Sequence, residues 1–244
     1  TKVEVSADID VRGEDMPFVS RGGLKLAKAL AEFKVDPKDK VALDIGASTG
    51  GFTDCLLQHG AKKVYAIDVG YGQLAWKLRI DPRVAVRERT NIRYVRPEDL
   101  DELGELATID VSFISLTKIF GAVAALLVPG ADLITLIKPQ FEAGPELVGK
   151  GGIVRDPKVH RGVITRVINA AEEAGFSHLG LSYSPVTGAD GNIEFLAHFA
   201  RIGESDETMT APRAEFGGDE SQRTRLVEEV VSAAWQQLKD GRSS

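Results

Sequence analysis

Apolar and polar positions along this chain alternate between two periods. Short, mostly apolar runs occupy 41–45, 64–68, 84–86, 106–111, 131–137, 176–186 and 193–200. Runs of this kind, bounded by glycine, proline and polar residues, predict buried strands. Between them lie stretches with a helical period. Residues 20–33 carry a stripe of Leu24, Ala27, Leu30 and Ala31, with Lys25 beside it, where a lysine is ordinarily a solvated surface residue. A first major helix is expected over 51–58, stopping at Gly60. A loop with a short helix fills 69–79. A further helix follows Thr117 and runs to Val128, where Pro129-Gly130 ends it. Asp156-Pro157 is a strong helix start, with an N-cap and a proline at the first helical position, and that helix runs to Ala174. Residues 222–238 repeat Leu226, Val230, Ala233 and Leu238 as a terminal helix that docks on the sheet or on a partner.

Strands alternating with helices predict a doubly wound α/β domain. The turn at 187–192 reads as a hairpin, which makes the last strand antiparallel. The expected architecture is a seven-stranded, mostly parallel sheet with helices on both faces. Residues 1–19 read as a connector, 20–201 as the domain, 202–221 as a flexible polar linker and 222–240 as the terminal helix. The glycine-rich 142–156 reads as a mobile loop able to close on a substrate or as a plain surface loop. There are no internal repeats.

One stretch organises the rest: Val41-Ala-Leu-Asp-Ile-Gly-Ala-Ser-Thr-Gly-Gly-Phe52. A strand runs into a glycine turn and the first turn of a helix. Gly46, Gly50 and Gly51 let backbone pass close to a ligand without a Cβ clash, and the helix N-terminus points its N–H groups at that turn. Asp68 closes the second strand, where a carboxylate suits the two hydroxyls of a ribose. A dinucleotide fingerprint is disfavoured, because Ser48 stands where its middle glycine belongs. Gly46-Ala-Ser-Thr-Gly50 also matches a hydrolase nucleophile elbow, but that fold needs several strands before the elbow. Glycines that serve packing alone are the bland alternative. Asp44 near the end of the first strand, with little room for phosphates at the turn, favours S-adenosylmethionine. Its expected cradle is Asp44, Gly46, Ala47, Ser48, Gly50, Gly51, Phe52, Asp68, Asp110 and Asn91. Asn91 serves either as a partner for the adenine or as an ordinary turn residue.

Composition narrows the classes. The chain has 244 residues, 43% hydrophobic and 27% charged, ordinary for a soluble globular protein. Cys55 is the single cysteine, so no disulfide forms within one chain and a reducing cytoplasm is the natural setting. One cysteine and four scattered histidines offer no zinc cluster. No run is long and apolar enough for a membrane span, and no signal peptide is visible. The net charge of −6 means that any nucleic acid contact is local or supplied by another module.

Four charged residues converge on one rim in this layout: Lys25, Asp110, Lys138 and Glu194. Asp110, Lys138 and Glu194 fall at strand termini on the edge where ligands bind. A lysine held near a second lysine loses proton affinity and becomes a base. A ribose 2′-hydroxyl is a poor nucleophile that needs such help.

Seven stretches together carry a resemblance. They are Ser20-Arg-Gly-Gly-Leu-Lys25, Leu43-Asp-Ile-Gly-Ala-Ser-Thr-Gly-Gly-Phe-Thr53, Asp68-Val-Gly-Tyr-Gly-Gln-Leu-Ala-Trp76, Glu88-Arg-Thr-Asn91, Asp110-Val-Ser-Phe-Ile-Ser-Leu116, Lys138-Pro-Gln-Phe-Glu142 and Gly191-Asn-Ile-Glu-Phe195. The chain resembles the TlyA-type, FtsJ-like ribosomal RNA 2′-O-methyltransferases, a family also labelled haemolysins. The resemblance implies a Rossmann-like class I methyltransferase fold, S-adenosylmethionine as methyl donor and ribosomal RNA as acceptor. It also implies a Lys25, Asp110, Lys138, Glu194 tetrad with Lys138 as the central catalytic lysine. The family carries an N-terminal S4 RNA-binding domain, for which residues 1–20 are too short. A basic stretch of Lys77, Arg79, Arg83, Arg87, Arg89, Arg93 and Arg96, against Asp81 and Glu88, is a candidate contact with the RNA backbone or simply a solvated face. Two other readings remain at this point, a membrane-active haemolysin and a non-catalytic cofactor- and RNA-binding protein.

Overall fold

The computed structural model describes residues 16–203 and 220–240. In the interior of the sheet lies β1 (Val41–Ile45), buried along its whole length. It pairs in parallel with β2 (Lys63–Ile67) on one side and β4 (Gly104–Ile109) on the other. β3 (Val84–Arg87) extends the β2 edge and β5 (Leu127–Ile137) adds to β4, both in parallel. β7 (Phe195–Arg201) runs antiparallel between β5 and β6 (Phe176–Tyr183). The order is β3-β2-β1-β4-β5-β7-β6, the expected seven-stranded mixed sheet.

Side chains alternate across the strands and build two cores. Leu43, Ile45, Ile109, Leu133 and Ile137 face one layer, with Phe120, Ile164, Val167 and Val231. Ala42, Leu106, Ile134 and Leu136 face the other, with Leu26, Leu30, Phe52 and Leu56. Helices α1 (Gly22–Phe33), α2 (Gly51–Gln58) and the single-turn α3 (Trp76–Arg79) therefore cover one face. Helix α4 (Phe120–Ala125), α6 (Pro157–Glu173) and α7 (Glu220–Asp240) cover the other. Between α4 and α6, α5 (Pro139–Glu142) is one turn at the end of β5. Each large side chain taken fully out of water here contributes about 1.5–3 kcal/mol.

Several elements differ from their expected limits, each for a local reason. β4 starts and ends two residues early. Asp110 N still donates to Ile45 O, but the chain then turns away, and Phe113 takes a left-handed φ of 65°. β5 begins at Leu127, ahead of Pro129-Gly130, so α4 ends at Ala125. Its pairing jumps from Gly104↔Leu127 to Leu106↔Asp132, so the segment between them, with Gly130 at φ 78°, bulges out of the ladder. The inner face of α1 is rotated from the expected stripe. Gly23, Lys25, Leu26, Ala29 and Leu30 are buried, while Ala31 is exposed. Lys25 points inward because a buried carboxylate awaits it, as described below.

The β6–β7 hairpin has a longer connection than expected, since β6 ends at Tyr183 and β7 starts at Phe195. The 142–156 segment is anchored. Asn192 accepts from Val154 N and donates to Gly152 O, and Arg166 donates to the Glu142 carbonyl. Helix α7 docks on α6 and β6 through Val227, Val231 and Ala234, with Arg223 paired to Glu172 at 2.7 Å. The expected connector over 1–15 and linker over 204–219 lie outside the described residues. Among the described residues, no helix is long and apolar enough to cross a membrane.

Candidate functional site

Two cavities open beyond the carboxyl ends of the parallel strands, the edge where ligands bind in doubly wound sheets. The larger measures about 540 Å³. Ile45, Ile67, Ile92, Ile114 and Ile119 give it apolar walls; Asp68, Asn91, Asp110 and Ser112 give it polar ones. The smaller, about 290 Å³, is lined by Ser20, Lys25, Phe52, Lys138 and Gly188 among others. Gly46, Ser48, Asp110 and Ser112 line both, so the two cavities share a wall. A broader depression of about 720 Å³ between α6 and α7 lies on the outer face, away from this edge.

Sheet register brings the charged residues of the rim together. Gly46 and Asp110 directly follow the paired Ile45↔Ile109 of β1 and β4. Lys138 and Glu194 continue the antiparallel pair Ile137↔Phe195. Lys138 Nζ lies 2.6 Å from Asp110 Oδ1 and donates to Ser112 Oγ at 3.0 Å. Lys25 Nζ lies 2.5 Å from Glu194 Oε2, and Gln140 Nε2 donates to Glu194 Oε1 at 3.2 Å. Glu194 is 2% exposed. All four expected residues therefore meet as two ion pairs. Each lysine has its own carboxylate, so Lys25 does not act on Lys138 as an unmatched like charge.

The larger cavity has a chemistry that fits S-adenosylmethionine, with an apolar slot for a base and a carboxylate at its rim. Asp68 accepts from Ser48 N at 2.8 Å and from Gly70 N at 2.7 Å. These bonds fix the carboxylate and leave each oxygen a second lone pair for a hydroxyl. Asn91 caps a short 3₁₀ turn by accepting from Arg93 N, and it is also among the residues that line the cavity. The turn role and the cavity position coexist.

Other expected cradle residues stand elsewhere. Asp44 lines neither cavity. Its side chain falls on the α2 face of β1, fully buried, where Thr53 Oγ1 donates to it at 2.6 Å. Burial raises its carboxyl to about 7. Gly50 also lies off the cavities: a Cβ there would meet Leu78 at 2.3 Å. Gly46 lines both cavities, yet its φ of 86° and the Asp110 carbonyl, 2.4 Å from any Cβ, already require glycine. The left-handed backbone of both, φ 86° at Gly46 and 96° at Gly50, thus calls for glycine before any ligand is considered. Gly51 and Phe52 line the smaller cavity, as does Ala47.

The hydrolase elbow fails on geometry. Ser48 Oγ bonds to Gln73 Oε1 at 3.3 Å and not to a histidine. Burial pushes the Cys55 thiol up to about 12, which leaves it an inert core residue. Among the described residues, no group of three or more His, Cys, Asp or Glu is placed to hold a metal ion.

Sequence reasoning missed Ser112, Phe113, Gln140 and the side chain of Glu142. Phe113 is 89% exposed at the mouth of the larger cavity, its ring 4.8 Å from that of Phe141. They lie inside the stretches around Asp110 and Lys138 that carry the family resemblance, but nothing in their residue type or spacing marked them as site residues.

The profile described as FtsJ-like methyltransferase matches residues 18–201. YqxC of Bacillus subtilis, whose name marks it provisionally as an rRNA methyltransferase, is 56% identical over 230 residues, covering 94% of this chain and 79% of that one. The 16S/23S rRNA (cytidine-2′-O)-methyltransferase TlyA of Mycobacterium tuberculosis is 45% identical over 185 residues, covering 76% and 69%. A solved structure of a protein from Streptococcus thermophilus, named as a hemolysin, is 46% identical, covers 96% of this chain and 80% of that one, and has a TM-score of 0.85. The match spans the sheet, both cavities and both ion pairs, and the chain belongs to the FtsJ-like methyltransferase family.

Proposed function

We propose that this chain transfers a methyl group from S-adenosylmethionine to the 2′-hydroxyl of a ribose in ribosomal RNA. One observation carries the reading: a cavity suited to the cofactor shares the wall of Asp110 and Ser112 with a second cavity that holds the Lys138 amine.

In the larger cavity, Asp68 would hold the ribose hydroxyls of the cofactor and Asn91 its base, over Gly46 and Ser48. Bound there, S-adenosylmethionine supplies an electrophilic methyl group on a sulfonium. The acceptor ribose enters the smaller cavity. The Lys138 amine orients the 2′-hydroxyl in its charged form and receives the hydroxyl proton only in its neutral form, while Asp110 holds it in place. A transfer there would join oxygen to methyl carbon and break the carbon–sulfur bond, whose electron pair would stay on sulfur. The Lys25–Glu194 pair fixes the opposite wall. Ala47, Gly51 and Phe52 line the acceptor side, and Asp44 and Gly50 support the glycine turn from beneath. Positioning supplies most of the rate, since the sulfonium is already reactive.

The proposal takes 20–201 as the catalytic domain, 1–19 and 202–221 as connecting segments and 222–240 as a buttressing helix. An S4-type RNA-binding module in the full-length protein belongs to the same proposal. The net charge of −6 supports it, because phosphate affinity then rests on a local patch and such a module. The test is transfer of labelled methyl from S-adenosylmethionine to isolated ribosomal subunits, with ribose methylation mapped in ribosomes from cells with and without the gene. Unlabelled subunits would reject the reading. Liposome leakage by purified protein, equal in the Lys138→Ala variant, would support a membrane-active haemolysin instead.

A further inference from the structure

Lys138 sits on the turn between β5 and α5, yet both polar partners of its amine, one an ion-pair contact and one a hydrogen-bond acceptor, sit on the loop after β4. Asp110 Oδ1 lies 2.6 Å away and Ser112 Oγ 3.0 Å. We infer that Ser112 is a positioning residue for the transfer, one that sets the direction in which the Lys138 amine faces the acceptor hydroxyl; this rests on the methyltransferase reading above.

The argument begins with the amine. An ammonium offers three N–H bonds in a tetrahedral array. Ser112 takes one in a hydrogen bond, while Asp110 Oδ1 lies against the amine as an ion-pair contact that fixes no N–H direction. With that one bond set, the vertex left for the cavity that Lys138 lines is an N–H in the charged form and a lone pair in the neutral form. With Asp110 alone, rotation about Cε–Nζ would exchange the vertices. The lone pair would then face the hydroxyl only part of the time. Ser112 also lines both cavities, at the wall where methyl donor and acceptor meet.

The loop that carries Ser112 is held to the segment that carries Lys138. Glu142, on α5 and 8% exposed, accepts from Ser115 Oγ at 2.7 Å and from Leu116 N at 2.8 Å. Phe113 follows Ser112 at φ 65°, a conformation that a side chain resists, and its ring rests on Phe141 of the same helix. Arg166 of α6 donates to the Glu142 carbonyl, which anchors α5 in turn. A serine that merely filled surface would need none of these ties.

The test uses the full chain with Ser112→Ala and Ser112→Thr. For Ser112→Ala, single-turnover transfer to ribosomal subunits should fall about 10- to 100-fold, while the Kd for S-adenosylmethionine and half-saturation by subunits change less than about 2-fold. Ser112→Thr keeps the hydroxyl and should restore most of the rate. Wild-type rate in Ser112→Ala overturns the inference. So does a loss confined to cofactor affinity, or a threonine variant as slow as alanine with binding intact. If the wild type methylates neither subunit, the functional reading falls by itself. The inference is then read from the ¹⁵N signal of the Lys138 amine. Ser112→Ala should broaden or shift it, and an unchanged signal overturns the inference.

Discussion

Lys25 and Glu194 are 169 positions apart in sequence and 2.5 Å apart between Nζ and Oε2. The first turn of α1 thereby meets the residue just before β7, across the mouth of the smaller cavity. Glu194 is 2% exposed, and its other oxygen is taken by Gln140. Such a pair gives little net stability when intact, because desolvation offsets the attraction. Breaking it is different, since one charge is left buried and unmatched.

Lys25→Met should therefore destabilise the protein by about 3 kcal/mol, and the Lys25→Met/Glu194→Gln double variant should recover most of that loss. Urea unfolding of the three proteins reads it directly. A double variant no more stable than the single one would show that the cost lies in packing and not in the orphaned carboxylate. Methyl transfer should remain impaired in both.

Lys138→Ala should lower transfer to ribosomal subunits by about 10²- to 10⁴-fold, the range for losing a positioned base. Cofactor affinity should persist, because Lys138 lines only the smaller cavity. Calorimetric titration with S-adenosylmethionine and labelled transfer measure the two separately. Retained methylation would remove Lys138 from its central role.

Much of this was legible in the sequence for reasons of period. β1, α2 and the strand ends bearing Asp68, Asp110 and Lys138 follow from short apolar runs and the glycine turn. That Glu194 falls near the carboxyl ends of the parallel strands followed once the last strand was read as antiparallel. Other features depend on contacts that no local pattern encodes. Lys25 was read beside its stripe because a lysine is ordinarily solvated; the carboxylate that draws it inward lies at the far end of the chain. Asp44 was read as a ligand residue, but strand alternation sends its side chain to the α2 face. Ser112 carried no signal, because its role depends on an amine that reaches it from another strand.

Asp44 makes stability depend on pH in an unusual direction. Burial, chiefly, holds its folded-state carboxyl at about 7, above its ordinary 3.8. Between those values the folded protein keeps a proton that the unfolded chain releases. Stability should therefore decline as pH rises from 4 toward 7, by at most about 1.4 kcal/mol per unit from this group. Asp44→Asn keeps an oxygen for Thr53 and removes the proton. Relative to that variant, wild type should gain stability as pH falls from 7 to 4.5 in urea titrations. A difference independent of pH would place an ionised Asp44 in the fold.

The basic stretch near β3 divides sharply once partners are assigned. Lys77 pairs with Asp54, Arg79 with Glu88, Arg83 with Asp81 and Arg96 with Glu98. Arg87, Arg89 and Arg93 are exposed and make no ion pair among the described residues. The Arg89 guanidinium lies 4.2 Å over the Tyr71 ring, and Arg93 lies beside Tyr94 at 5.5 Å. Exposed guanidinium and aromatic groups together suit phosphates and unstacked bases. Arg89→Ala and Arg93→Ala should each weaken binding to ribosomal RNA and lower the slope of log K against log salt by about one. Arg83→Ala, whose charge is already matched by Asp81, serves as the control and should leave that slope nearly unchanged. Equal slopes in all three variants would move the RNA-docking face away from this edge of the sheet.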